Sequence, residues 1–551
     1  MRIISNMLLL VLLANVHFLN GQTISNAVYQ ERQFDEDGFS NRYYVSAVIG
    51  KADGDGSRDN PWDALTDIDG YAFSPGDTVF FERGSKWTGT FEITASGSPD
   101  SPIVFTSYGE GAKPAISNPD PSANDGNAIR ISANHVLIDD FYIHDCGVTK
   151  PRTVAGIASF NREDHHITIQ NSEFSGCRVG VRLYAHDVLI TNNHMHSPGG
   201  GINEWWGPMG IVGVGYNGEI SFNVIEGFLA PNNYGYDGGA IELDDEGIHT
   251  NWKIHHNISL GNEGFLETYD DSECEGCTWG DIEICYNYSD DYQWFLDGPI
   301  GDNPVIENNT IIRVLPANTD FNWCISLHHL IPKASVRNNI FVLANGVKAF
   351  EWENPGSSTS DNIYFSVDGS RANPKGYVLR SGEIIADPLF VDYELRDLHV
   401  LPGSPAIDMA ESSRYTFDLD RSPVPHGIAP DAGAYEFDGV VSIPEKKKMP
   451  ETYLLNQNYP NPFKSRTIIR YQIPSVSYVE LSIYNLSGTK VATLVNERQA
   501  ADSYEIEWNA KGMNPGIYLC ELRSSQGRQI TKMNVIKMFF IDSEKQYCLR
   551  R

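Results

Sequence analysis

An Ile/Val-x-x-Asn pattern recurs along the middle of the chain, at Ile190/Asn193, Ile220/Asn223, Ile254/Asn257, Ile284/Asn287, Ile306/Asn309 and Val336/Asn339. Successive asparagines are 30, 34, 30, 22 and 30 residues apart, intervals that suit the coils of a solenoid whose turns differ in loop length. In such a stack each coil buries its apolar face on the next, so short strands line up their inward residues into one continuous core. The bend between strands needs a residue that tolerates left-handed or bridging backbone, and Asn is suited to it. Its amide also reaches the equivalent amide one coil away, which predicts a hydrogen-bonded ladder that satisfies buried polar groups along the axis.

The rest of the chain agrees with an elongated all-β architecture. At 551 residues it exceeds one compact core. Gly, Asn and Asp punctuate short runs rich in Ile, Val, Phe and Tyr, and long helical periodicity is missing. Residues 1–21 open with Arg2, run through an apolar stretch over 7–14 and end at Leu19-Asn20-Gly21, the pattern of a secretory leader that is removed. No later stretch reaches the roughly 20 apolar residues of a membrane span, so a soluble exported protein is expected. A formal charge of −31 argues against nucleic acid as a partner, because phosphate binding needs Lys and Arg gathered on one face. Acidic surface that keeps an exported chain soluble accounts for most of that charge.

Export permits disulfides among the eight cysteines, Cys146, Cys177, Cys274, Cys277, Cys285, Cys324, Cys520 and Cys548. Cys274-Glu-Gly-Cys277 reads as a loop disulfide or free thiols. A metal site there lacks the second CxxC or paired His that would complete four ligands.

Two flanking segments add to the repeat. Tyr43-Tyr44-Val45-Ser46 with Asp53-Gly54-Asp55-Gly56 and Pro61-Trp62 looks like a first strand and cap. Asp387-Pro388-Leu389-Phe390-Val391-Asp392, then Pro402-Gly403-Ser404-Pro405-Ala406-Ile407-Asp408 and Gly433-Ala434-Tyr435-Glu436, looks like a closing segment. With these, most of residues 43–437 resembles the right-handed parallel β-helix superfamily of pectate-lyase-like proteins. After a linker over 438–452 containing Lys446-Lys447-Lys448, residues 453–537 resemble the sorting domain of the Bacteroidetes type IX secretion system. The residues that carry this likeness are Leu455-Asn456-Gln457-Asn458-Tyr459-Pro460-Asn461-Pro462-Phe463, Ile483-Tyr484-Asn485-Leu486-Ser487-Gly488 and Gly516-Ile517-Tyr518. The same region reads independently as a small β-sandwich, from alternating runs at 479–484 and 504–508. The resemblances imply a β-helix domain over 22–437, a sorting domain over 453–537 with an extension over 538–551, and export across the outer membrane by the secretion machinery.

Alternation within the repeat aligns seven strands, with Val181, Ile211, Ile241, Leu266, Leu296, Ile325 and Phe350 pointing inward. The next residues form an outward column, Arg182, Val212, Glu242, Glu267, Asp297, Ser326 and Glu351, expected to face solvent. A second column runs Tyr184, Val214, Asp244, Tyr269, Pro299, His328 and Glu353. Coils about 4.8 Å apart put Glu242 and Glu267 near the separation of a retaining glycosidase pair, and Glu242 and Asp297 near an inverting one. Stacked like charges repel, so one carboxyl is expected to titrate high enough to act as an acid.

Lyases on this fold use Lys or Arg. Between Arg182 and Arg313 the only such residue is Lys253, against 22 Asp and Glu, and Lys253 falls in a strand of a different face. The balance favours a glycoside hydrolase with Glu242, Asp244, Glu267 and Asp297 as the catalytic carboxylates. Arg182, Tyr184, Trp205, Trp206, Tyr269 and His328 are the expected substrate contacts, the Trp205-Trp206 pair as a sugar platform. Trp294 and Trp323 read as packing, and His255-His256 as a structural pair at an Asn bend. A lyase or uronate epimerase with a His328 or Tyr269 base and a cation is the alternative, and a non-catalytic glycan-binding or adhesin protein is another. No metal or other cofactor is required, calcium being the ion that the acids could hold, and a monomer acting on polysaccharide is expected.

Overall fold

Because side chains alternate between the two faces of a strand, a run of three to six residues crosses one side of a narrow core before Gly, Asn or Asp turns the chain. The protein is seen here as a computed structural model. It describes residues 41–536 apart from 120–125, 147–153, 199–206, 230–237, 244–246, 269–277, 315–321, 327–332, 352–355, 394, 440–452, 459–460, 464–465, 475–476, 500–501 and 525–526. Val16–Leu19 is also described, paired antiparallel with Gln22–Ser25. Two compact units result, Met1–Val441 and Ser442–Arg551.

The first unit is a right-handed parallel β-helix, the hand that strand twist imposes on parallel crossovers. Three parallel sheets of 12, 12 and 10 strands run along it. A single coil shows the path: Leu189–Thr191 lies in the first sheet, His194–His196 in the second and Met209–Val214 in the third, before Glu219–Ser221 returns to the first. Ile190, Ile220, Ile254, Ile284, Ile306 and Val336 stack inward from the first sheet. Val181, Ile211, Ile241, Leu266, Leu296, Ile325 and Phe350 do so from the third, and all thirteen are buried.

The asparagine ladder forms and runs one coil further than the repeat, from Asn193 through Asn223, Asn257, Asn287, Asn309 and Asn339 to Asn362. Each Nδ2 donates to the next Oδ1 at 2.9–3.0 Å. Each backbone N–H donates to the same oxygen at 2.9–3.0 Å. One expectation is corrected: the left-handed residue is the one before each ladder asparagine. Asn192, Phe222, His256, Tyr286, Asn308, Asn338 and Asp361 have φ between 53° and 59°. The ladder amide is committed along the axis, so the change of backbone direction falls on its predecessor.

For Phe222 and Tyr286 that conformation costs about 1–2 kcal/mol each. External stacking offsets it: His256 lies 4.8 Å from Phe222 and 5.1 Å from Tyr286, centroid to centroid. The guanidinium of Arg421 sits 3.8 Å above the Phe222 ring. Burial holds His256 down at about 3, so its ring is neutral, with Nε2 3.0 Å from the Phe417 carbonyl. The His255-His256 pair is thus packing, with His255 3.4 Å from Glu219.

Phe417 and Arg421 belong to the closing segment, which follows the antiparallel pair Phe390–Asp392 and Asp397–Val400. Leu398, Val400, Leu419, Ala434 and Tyr435 cover Tyr288, Ile312, Ile340 and Ile363 of the second sheet. His399 ties this segment to itself, with Nδ1 2.7 Å from Asp397 and Nε2 2.8 Å from Asp420. Burial opposes charge on that ring, but the two hydrogen-bonded carboxylates outweigh it and push it up to about 10. A raised imidazole stabilises the fold fully below its ordinary value of 6.5 and loses that contribution as pH rises toward the folded value. The melting temperature is therefore expected to fall between pH about 7 and about 10. His399→Gln should flatten that part of the curve in a thermal melt series.

The second unit is a small β-sandwich. Leu454–Leu455, Arg466–Ile473 and Asp502–Asn509 form one antiparallel sheet. Lys490–Gln499, Ser477–Asn485, Gly516–Ser524 and Gly527–Val535 form the other. Phe463, Ile469, Tyr471, Leu481, Trp508 and Tyr518 fill the core between them.

Candidate functional site

The third sheet sets the register on which the acidic column depends. Val179–Tyr184, Met209–Val214, Gly239–Leu243, Leu266–Thr268 and Leu296–Asp297 pair in parallel. Arg182 is matched with Val212, Val212 with Glu242, Glu242 with Glu267 and Glu267 with Asp297. Three carboxylates therefore share one face of one sheet on consecutive coils, about 4.8 Å apart per step. Toward the N-terminus the column continues through Ala158 and Arg130 to Glu92, where Arg130 and Glu92 approach to 3.9 Å. Toward the C-terminus Ser326 donates a hydrogen bond to Glu351.

Glycine makes the close coil contacts here possible. A Cβ on Gly264 would come within 2.2 Å of Trp294 Nε1, and one on Gly298 within 1.9 Å of the Thr268 carbonyl oxygen, at φ 102°. The first lets the Trp294 ring lie against the coil, and the second lets the chain leave the sheet directly after Asp297. Glu242 and Glu267 border a recess that Met209, Gly239, Gly264 and Trp294 complete.

The column is less open than expected. Arg182 is 4% exposed, Val212 0% and Glu242 5%, while Glu267 and Asp297 are half-buried. A satellite apolar cluster explains this: Ala155, Ala158, Val179, Met209 and Val212, with Phe160 against them, pack outside the core proper. Arg182 turns along the sheet, its Nη2 donating to the Tyr184 hydroxyl at 3.0 Å and its guanidinium 5.3 Å from that ring. Arg162 lies 5.9 Å from the same ring. The other residues expected to act, Asp244, Trp205, Trp206, Tyr269 and His328, lie outside the described residues. Trp294 and Trp323 are buried packing residues, and Lys253 falls in the first sheet, away from the column.

A second polar groove escaped the sequence reading. On the second sheet His196, Ser197, Glu226, Leu260, Asp290 and Arg396 line an open hollow. Burial there pushes Asp290 up to about 6 although Arg396 stands at 2.6 Å. Its cation comes from the closing segment, 106 residues downstream of Asp290 (396 − 290), so no local motif announces the pair.

Comparison with known proteins adds one domain and several distant likenesses. Residues 457–537 match the family model described as the secretion system C-terminal sorting domain. The chain is thus exported by type IX secretion to the cell surface or beyond. Among curated proteins none matches. Among solved structures, the native GH136 lacto-N-biosidase from Eubacterium ramulus is 16% identical over 63% of this chain and 68% of its own, with TM-score 0.35. The alginate lyase from Paenibacillus sp. str. FPU-7 is 14% identical over 60% and 94%, with TM-score 0.33. A tailspike protein double mutant of E. coli bacteriophage HK620, solved with a pentasaccharide, is 8% identical over 90% and 85%, with TM-score 0.36.

Proposed function

We propose that the chain is an exported glycoside hydrolase that cleaves a polysaccharide with the carboxylates of Glu242, Glu267 and Asp297. The observation that carries this reading is the register: three acids fall on matched positions of consecutive coils. Hydrolysis of a glycosidic bond needs one carboxyl to protonate the leaving oxygen and a second to act as base or nucleophile. One coil step supplies the short separation of the retaining reaction, and two steps the longer one of inversion. The composition of the face supports hydrolysis over elimination. Removing a proton next to a uronate carboxylate calls for a basic side chain and a cation beside it, but the Lys or Arg of this column nearest the three acids is Arg182, two coils from Glu242, and Lys253 is in another sheet. Asp244 joins the acids in this proposal, and Arg182 and Tyr184 with Trp205, Trp206, Tyr269 and His328 are the proposed sugar contacts.

A panel of plant and algal polysaccharides tests it. Incubation with the purified chain is expected to release reducing ends from at least one of them with no new ultraviolet absorbance. New absorbance from an unsaturated product would make the chain a lyase, and binding with neither signal would make it an adhesin.

A further inference from the structure

We propose that His135, His165 and His166 bind one divalent transition-metal ion of the zinc class at the corner where the third sheet passes to the first. His135 precedes Val136–Asp139, and His165-His166 precede Ile167–Gln170 on the next coil. Val136 is paired with Ile167, so His135 and His166 hold the same position one coil apart. Backbone N–H groups of His135 and Val136 donate to the carbonyls of His165 and His166, each at 3.1 Å. Ring nitrogens of the three lie within 4.8 Å of one another, and the Nδ1 atoms of His165 and His166 are 2.7 Å apart. Tetrahedral zinc with bonds of about 2.0–2.1 Å sets its nitrogens about 3.4 Å apart. Side-chain rotation alone closes the difference, since His166 is exposed and the other two are half-buried.

The backbone does not account for imidazole at this corner. His135 and His166 are left-handed, at φ 55°, and so are Asp187, Asn217 and Asn251 further along the same edge. There Asn251 Nδ2 donates to Asn217 Oδ1 at 2.8 Å, and Asn217 Nδ2 to Asp187 Oδ1 at 3.0 Å. Short polar side chains thus satisfy the turn, and His165, the third member, is not left-handed at all. Imidazole in place of amide changes what the corner can hold, since it favours zinc, copper and nickel over magnesium or calcium.

The surroundings suit a cation. Asp164 and Asp187 place negative charge beside His165. His186 stacks on His165 with centroids 5.1 Å apart and has Nδ1 2.5 Å from Asp187 Oδ2. The ion would clamp two coils at a site separate from the acidic column, so this proposal stands independently of the hydrolase reading.

Calorimetric titration of the chelator-treated full chain with zinc chloride tests it. One zinc per chain is expected. The triple variant His135→Gln/His165→Gln/His166→Gln should bind it at least about tenfold more weakly, with an unchanged circular dichroism spectrum. His399→Gln, at the histidine–carboxylate cluster of the closing segment, should bind as the parent does. A parent chain that takes up no zinc at millimolar concentration overturns the proposal. So does a folded triple variant within tenfold of the parent, or a triple variant that fails to fold while single His135→Gln and His166→Gln chains, both folded, each keep the parent affinity.

Discussion

Glu267→Gln is expected to slow cleavage of whatever polysaccharide the chain degrades by about 10³-fold, within the range that one acid–base group contributes, while the melting temperature holds or rises. Glu267 neighbours both other acids, matched with Glu242 on one side and Asp297 on the other. Any catalytic pair on adjacent coils therefore uses it, and in the wider Glu242/Asp297 pairing it lies within one coil of each. The amide keeps the shape of the side chain and takes one ionisable carboxyl out of a stack of three, which relieves like-charge repulsion rather than adding to it. Rate and stability should part company: an acid retained for packing would lose stability without a comparable loss of rate, whereas a catalytic one loses rate alone. Initial rates on the best substrate of the panel, with melts of both chains, read the two quantities separately.

Asn257→Ala is expected to cost about 3–5 kcal/mol, well above the ~1 kcal/mol typical of a point substitution. Asn257 is fully buried. Its Oδ1 accepts from the backbone N–H and Nδ2 of Asn223 at 3.0 Å each. Its Nδ2 donates to the Ile220 carbonyl at 2.8 Å and to Asn287 Oδ1 at 3.0 Å. Truncation strands buried groups on both neighbouring coils, and each unsatisfied group costs about 1–3 kcal/mol. Asn217→Gly is the contrast, since its hydrogen bonds to Asp187 and Asn251 are exposed and water replaces them, while glycine adopts the left-handed backbone there without strain, at a cost of about 0.5 kcal/mol or less. Urea midpoints of the two variants should differ by several-fold in their shift from the parent.

The solenoid was legible because its periodicity is strict where the core is. Ile190 to Val336 and the asparagines beside them recur once per coil, and the inward set of the third sheet follows from period two. What the asparagine pattern did not carry was the division of labour at the bend, since a backbone turn at Phe222, His256 or Tyr286 leaves no residue-type signature. The acidic register was readable from the same alternation. Its shielding was not, because the apolar patch of Ala155, Ala158, Val179, Met209 and Val212 assembles from three coils and looks in sequence like more core. The hollow closed by Arg396 and the histidine corner depend on contacts across coils or from the closing segment, which local spacing does not encode.

The account rests on sugar chemistry taking place along the third sheet. A crystal structure of the Glu267→Gln chain soaked with an oligosaccharide cut from its own substrate measures this directly. Density for a glycosidic linkage spanning Glu242, Gln at 267 and Asp297 is the expected result. An oligosaccharide seated instead in the second-sheet hollow beside Asp290 and Arg396, with the acidic column bare, would contradict it.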